Sequence, residues 1–215
     1  MAKVSPERPQ GVRGEKMPID GILVVDKPSG VTSHDIVDLI RGRFGFKKVG
    51  HAGTLDPLAT GVLVILIGRA TKLSNELLNR EKEYEVSMVL GKRTDTGDAD
   101  GKTIFEGKDY TGVTAAVMTA AMKKFTGSIL QTPPMTSAVR HQGQKLYELA
   151  RKGIEVERVA RPVEIHELSL LSFAPPQVVL RAKCSKGTYV RVLCDDLGLE
   201  LGCGAYVSGI KRIRS

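Results

Sequence analysis

Apolar and polar positions along the chain alternate between short apolar runs and stretches of helical spacing. Gly21 to Asp26 is a short apolar run typical of a buried strand, stopped by Pro28 and Gly30. Thr32 or Ser33 then caps a helix whose apolar face is Ile36, Val37, Leu39 and Ile40, before Gly42 and Gly45 disrupt it. Val62 to Ile67 reads as a second buried strand. Tyr84 to Leu90 alternates in part, with Tyr84, Val86 and Met88 on one side, which predicts a half-buried strand. Val113, Val117, Ala121 and Phe125 recur at helical spacing and predict an amphipathic helix packed on a sheet and ended by Gly127. Val163 to Phe173 and Gln177 to Cys184 read as strands interrupted by Pro175-Pro176. Thr188 to Leu201 reads as mainly helical with Gly202 at its end, and Ala205 to Ile213 alternates weakly, as a returning strand does.

Composition narrows the class. The 215 residues are 41% hydrophobic, enough for one substantial domain or two small ones. No apolar run reaches membrane-spanning length, and residues 1–19 are polar, Pro-bearing and without the apolar core of a signal peptide, so a disordered tail is expected there. Cys184, Cys194 and Cys203 are odd in number and form no CxxC pair, which suggests neither a disulfide framework nor a zinc site and suits a reducing cytoplasm. A formal charge of +8 favours a polyanionic partner. Arg41, Arg43, Lys47 and Lys48 cluster shortly before His51, and Lys211, Arg212 and Arg214 crowd the C-terminus, so these groups are candidates for phosphate contacts.

The most informative stretch runs from His51 to Gly61. It sets one carboxylate, Asp56, in a loop bracketed by Gly53, Pro57 and Gly61 just before an apolar strand. Glycines permit backbone conformations closed to other residues, and Pro57 keeps Asp56 out of helical geometry. The alternatives are an Asp that hydrogen-bonds its own turn and an Asp aimed into a site. Arg93 to Gly101 has the look of a calcium loop, but Thr96 stands at the first ligand position and Gly107 at the twelfth, where a bidentate Glu is required. Its acids therefore read as turn-forming or as partners for nearby arginines.

Several of these segments carry a family resemblance. Gly50 to Gly61 with Val62-Leu63-Val64-Ile65 resembles the Asp-containing motif of the TruB-type tRNA pseudouridine synthases. Asp20 to Ser33 is similar to that family's opening Lys-Pro motif, and Lys82-Glu83-Tyr84-Glu85-Val86 to its tyrosine strand. Lys186-Gly187-Thr188-Tyr189-Val190-Arg191 resembles its third motif, and Gly202-Cys203-Gly204-Ala205 the segment after that motif. The matches keep their order from Asp20 to Ser215.

The resemblance implies an α+β pseudouridine synthase fold, a mixed and mainly antiparallel sheet with flanking helices and a central catalytic cleft, over residues 20–215. It implies isomerisation of the T-loop uridine at conventional tRNA position 55. Asp56 would be the nucleophile, attacking C6 of the base or C1′ of the sugar, and Arg191 its cationic partner. Tyr84 would stack on the base and assist proton removal. Tyr189 would line the pocket, Ile210 would supply an apolar wall, and His51 would enter the T-loop as bases flip. Lys27 and Pro28 would brace the floor. The reaction oxidises nothing and transfers no group to another molecule, so no metal and no cofactor are expected. Gln131 to Arg161, where Arg140, His141, Lys145, Tyr147, Arg151, Lys152, Arg158 and Arg161 interleave base and aromatic, resembles the family's thumb-like RNA-binding insertion.

Leu58-Ala59 after Asp56-Pro57 resembles the stand-alone bacterial branch; the guide-RNA-dependent branch typically has Lys-Val there. Bacterial members usually continue into a small C-terminal PUA-like RNA-binding domain, which this chain lacks, so it reads as a catalytic domain, either naturally minimal or a fragment. The expected partner is the T-arm of tRNA, with no membrane, no obligate protein partner and a monomer as the default. A non-catalytic tRNA-binding or folding factor is the alternative from another class.

Overall fold

The computed structural model describes residues 19–107 and 109–215. The tail expected over residues 1–19 lies outside them except for Ile19. The chain begins with β1 (Gly21–Lys27) and α1 (Ser33–Phe44), followed by β2 (Val49–His51) and β3 (Thr60–Ile67). A 3-10 turn (Gly68–Leu73) leads through α2 (Ser74–Leu78) to β4 (Lys82–Leu90), the hairpin β5 (Lys92–Thr94) and β6 (Thr103–Glu106), α3 (Ala115–Lys124) and β7 (Gly127–Gln131). A small hairpin, β8 (Arg140–His141) and β9 (Gln144–Lys145), precedes α4 (Leu146–Ala150); then come β10 (Arg161–Ala174), β11 (Gln177–Cys184), α5 (Val190–Glu200) and β12 (Ala205–Arg214). The main sheet has the order β1-β3-β12-β4-β11-β10-β7 with β2 beside β3, antiparallel throughout except for the parallel β3–β12 pair. This is the α+β architecture expected.

Period-2 patterning decides which side of the sheet is core. Lys82, Tyr84, Val86, Met88 and Leu90 all point inward from β4, and Val178, Leu180, Ala182 and Cys184 do so from β11. The opposite face of the same strands is a charged ladder in which Arg181 pairs with Glu85 and Lys183 with Glu81. Helices α1, α3 and α5 cover the apolar side. Thr32, not Ser33, caps α1, in a capping box with Asp35, and Gly45 ends it in left-handed geometry.

Four local expectations are corrected. β1 is an edge strand, not a buried one: Ile22, Leu23 and Val24 are 50%, 38% and 61% exposed, because an apolar run does not say whether both flanks of a strand are occupied. Gly42 does not disrupt α1, which continues to Phe44, and Leu39 faces solvent. In α3 the buried face is Met118, Ala121 and Met122, while Val117 is exposed. The helix starts only after the Thr114 cap, and Val113, ahead of it, occupies the staple position opposite Met118, which rotates the apolar stripe away from the predicted one. Finally, Arg212 of the basic C-terminal cluster is 1% exposed and meets no solvent phosphate.

Candidate active site

The Asp56 loop is fastened at every carbonyl from Gly53 to Leu58. The Arg212 guanidinium donates to Gly53 O (3.0 Å) and Thr54 O (3.4 Å). The Ser33 hydroxyl donates to Leu55 O (3.1 Å) and accepts from Leu55 N–H (2.8 Å). Asp56 O accepts from Ala59 N–H, and Pro57 O from Gly30 N–H and from Lys27 Nζ (3.2 Å). Ser29 Oγ donates to Leu58 O (3.2 Å). The turn between β1 and α1, the Lys-Pro segment, is thus a clamp on the aspartate loop. Lys27 is fully buried, also donates to Pro28 O and Val31 O, and has its ammonium pKa lowered by burial, against which the Asp56 charge works. With its carbonyls tied down the loop has no slack, and only the carboxylate is left free to project.

What it meets is Arg191, in the first turn of α5. Arg191 Nε donates to Asp56 Oδ2 at 2.9 Å, and Nη1 donates to Thr96 O (2.7 Å) and Thr136 Oγ1 (2.8 Å) and stands 3.4 Å from Asp98 Oδ2. The guanidinium side chain is 5% exposed while that of Asp56 is 37% exposed, so the arginine is anchored in the protein and the acid is open to solvent. The hairpin β5–β6 brings Thr96 and Asp98 to it, and that hairpin is latched to α5 by a two-bond Arg93–Asp195 pair.

Tyr84 sits on β4, 8% exposed. Burial raises its phenol pKa and the Asp56 charge adds to that, while the neighbouring Arg212 opposes it. Ile210 of β12, opposite Val86 in register, is buried on the same side. Tyr189 is the residue before α5; its backbone N–H donates to Gln131 Oε1 (3.0 Å) and its carbonyl accepts from Gln131 Nε2 (3.3 Å), a cap supplied from β7. His51 ends β2, half-buried, with Nδ1 unpartnered; burial first, then the Arg212 charge, lowers its pKa, which favours the neutral ring.

Of the residues predicted from sequence, Asp56 and Arg191 meet directly in one site, and Tyr84 lies near enough for the Asp56 charge to act on its phenol. Others belong to that site without a sequence signal for that role. Ser33 reads locally only as a helix cap, Arg212 only as a phosphate contact, and neither Thr136 nor Gln131 carries any local signal. Asp98 reads as a turn acid or an arginine's partner. It is both: its Oδ1 accepts from Thr96 Oγ1 and Asp100 N–H, and its other oxygen faces Arg191, an arginine remote in sequence. Among the described residues no three His, Cys, Asp or Glu side chains gather as a metal site.

An ion-paired aspartate near a buried tyrosine, on a mainly antiparallel sheet, fits the pseudouridine synthase fold that the sequence resemblance implies. The comparisons agree: residues 41–190 match the TruB family pseudouridylate synthase (N terminal domain). The chain is 49% identical over 197 residues to tRNA pseudouridine synthase B of Syntrophotalea carbinolica, covering 92% of this chain and 64% of that protein. It is 48% identical over 194 residues to the enzyme of the same name from Haemophilus influenzae strain Rd, covering 90% and 62%. Among solved structures, a Cbf5-Nop10-Gar1 complex matches with a TM-score of 0.71 at 32% identity, over 91% of this chain and 48% of that one. An H/ACA RNP bound to a substrate RNA containing 2′-deoxyuridine matches with a TM-score of 0.67 at 28% identity, over 91% and 47%. The chain belongs to the TruB family of pseudouridylate synthases. It spans a little under two thirds of the length of the curated relatives named here.

Proposed function

We propose that this chain is the catalytic domain, over residues 20–215, of an enzyme that isomerises uridine to pseudouridine in the T-loop of tRNA at conventional position 55. The observation that carries the reading is the Asp56–Arg191 pair at 2.9 Å beside the buried Tyr84. A flipped uridine excludes water from Asp56, and the anchored guanidinium then supplies the opposite charge that solvent no longer screens. The carboxylate adds to C1′ of the sugar or C6 of the base, the N1–C1′ bond breaks, and the base turns within the closed pocket. C5 then bonds to C1′, the C5 proton departs, N1 takes up a proton, and Asp56 is released. Atoms and charge balance without a cofactor.

In this reading Tyr84 stacks on the base and assists removal of the C5 proton, Tyr189 and Ile210 complete the walls, and neutral His51 enters the T-loop. Residues 131–161 act as the thumb. Arg140, Arg151, Lys152 and Arg161 are exposed there, and Lys145 and Arg151 flank the Tyr147 ring at 5.3 and 5.4 Å. The root of that segment touches the chemistry through Thr136 on Arg191. The setting is the cytoplasm, which suits three buried free thiols. The chain works as a monomer without an obligate protein partner; among the described residues no helix exceeds the 12 residues of α1, and none is long and apolar enough to cross a membrane.

The solved complexes named above favour a second reading, a guide-RNA-dependent synthase. The identities of 48–49% to proteins named tRNA pseudouridine synthase B, against 28–32% to those complexes, weigh against it. The test is release of tritium from tRNA carrying C5-labelled uridine, without guide RNA, by this chain and by Asp56→Asn. Release by the parent alone, with binding kept in both, is expected; equal release by both, or none with tight binding, would refute the assignment, the latter in favour of a tRNA-binding factor.

A further inference from the structure

Arg212 is a buried cation with no acidic partner among the described residues. Each of its guanidinium nitrogens donates to a carbonyl oxygen, Nε to Val62 O at 2.7 Å and the other two to Gly53 O and Thr54 O. Beside it lies Lys82, 7% exposed, whose ammonium is likewise held by carbonyls, those of Leu78 and Arg80. Two neighbouring buried cations without a carboxylate are costly, and a neutral amide could hold carbonyls at lower cost. The charge therefore calls for a reason beyond folding. Its position supplies one: on β12, Arg212 is the direct cross-strand partner of Tyr84 on one side and of Gly61 on the other, so the same residue touches the tyrosine strand, the strand leaving the aspartate loop, and the loop itself.

We propose that Arg212 is a positioning residue for the isomerisation, tying the Asp56 loop to the Tyr84 strand so that carboxylate and phenol meet the base as one rigid unit, with its guanidinium set beside the phenol. This rests on the function proposed above. The groups facing the phenol are Arg212 from β12, Cys184 from β11, Lys82 two residues earlier on β4, and Asp56 from the loop. Burial, Asp56 and Cys184 all disfavour a phenolate there, and Arg212 opposes them. Of the groups just named only Lys82 would remain as a cation without Arg212, and burial draws its ammonium toward neutrality.

The experiment compares the parent with Arg212→Gln and Arg212→Lys. Single-turnover tritium release and RNA affinity are measured alongside fluorine NMR titration of chains carrying 3-fluorotyrosine, with Tyr84→Phe identifying the signal. Arg212→Gln should slow single turnover about a hundredfold, the effect of misplacing a reacting group by about 1 Å. RNA affinity should stay within about twofold, since the residue is buried away from phosphates. The Tyr84 titration should move to higher pH in Arg212→Gln and return toward the parent in Arg212→Lys. A folded Arg212→Gln with parental turnover, or with an unmoved Tyr84 titration, would overturn the proposal and leave Arg212 a brace. Should Arg212→Gln not fold, the lysine variant decides, since it keeps the charge but not the fork: parental turnover there refutes the tie. Absence of turnover in the parent itself would count against the isomerase reading, while the titration still tests Arg212 on its own.

Discussion

Replacing Arg191 by lysine separates what the arginine does for the fold from what it does for the reaction. The guanidinium works in two directions at once, with Nε on Asp56 and Nη1 on Thr96 O, Thr136 Oγ1 and the Asp98 side. A single ammonium cannot span both. The Asp98 side chain is 7% exposed against 37% for Asp56, so the lysine charge should settle on Asp98, where an unpaired carboxylate costs most. Asp56 then loses its partner. A hydrogen bond to a charged group contributes roughly 1.5–3 kcal/mol, and solvent at the half-open Asp56 keeps the loss in folding stability near the low end, about 1.5 kcal/mol. Once a uridine covers the acid that screening is gone, and the full loss of about 3 kcal/mol slows the chemical step roughly a hundredfold. The assay pairs thermal unfolding with single-turnover tritium release at saturating enzyme. A small drop in midpoint with a large drop in rate is expected. A lysine variant with near-parental single turnover would remove Arg191 from the site.

Gly61→Ala should be severely destabilising: a Cβ there would overlap the Arg212 carbonyl oxygen at a φ of +97°, so the parallel β3–β12 pairing must give way, at a cost of about 2 kcal/mol or more. Gly21→Ala, with nothing within 4 Å, is the control and should change the unfolding midpoint little; equal effects would refute the packing argument. Asp196→Asn should show a pH signature in thermal unfolding. Burial, then the Asp195 charge, raises the Asp196 carboxyl to about 6, so the folded chain holds a proton the unfolded chain has released, and that contribution is lost as pH rises through about 6. The asparagine variant should outlast the parent at pH 8 and lose its advantage toward pH 4; a difference independent of pH would exclude a raised carboxyl.

Much of the site was legible locally because its residues are marked by the backbone they need. Asp56 stands between glycines and a proline that only a special turn requires, and Tyr84 lies on a strand whose period-2 pattern already says which side is inward. Capping chemistry placed α1, and the ordered motifs fixed the family before any coordinates. What local pattern could not carry was occupancy and partnership. Whether β1 is covered on both flanks depends on strand order, and whether α3 turns Val117 or Met118 to the core depends on where its cap falls. Arg212 reads as surface charge in a basic tail, yet β12 inserts between β3 and β4 and carries it beneath the aspartate loop. Asp98, Thr136 and Gln131 likewise acquire a role only when hairpin, thumb root and sheet edge converge on the start of α5. Sequence by itself determined the longer strands and helices and singled out Asp56 as a candidate, because dihedral preference and periodicity act between near neighbours. Tertiary structure alone decided that Arg212 lies buried beneath the aspartate loop and that Asp98 and Thr136 share Arg191 with Asp56, because a charge buried among carbonyls is tolerated only where the whole fold supplies them.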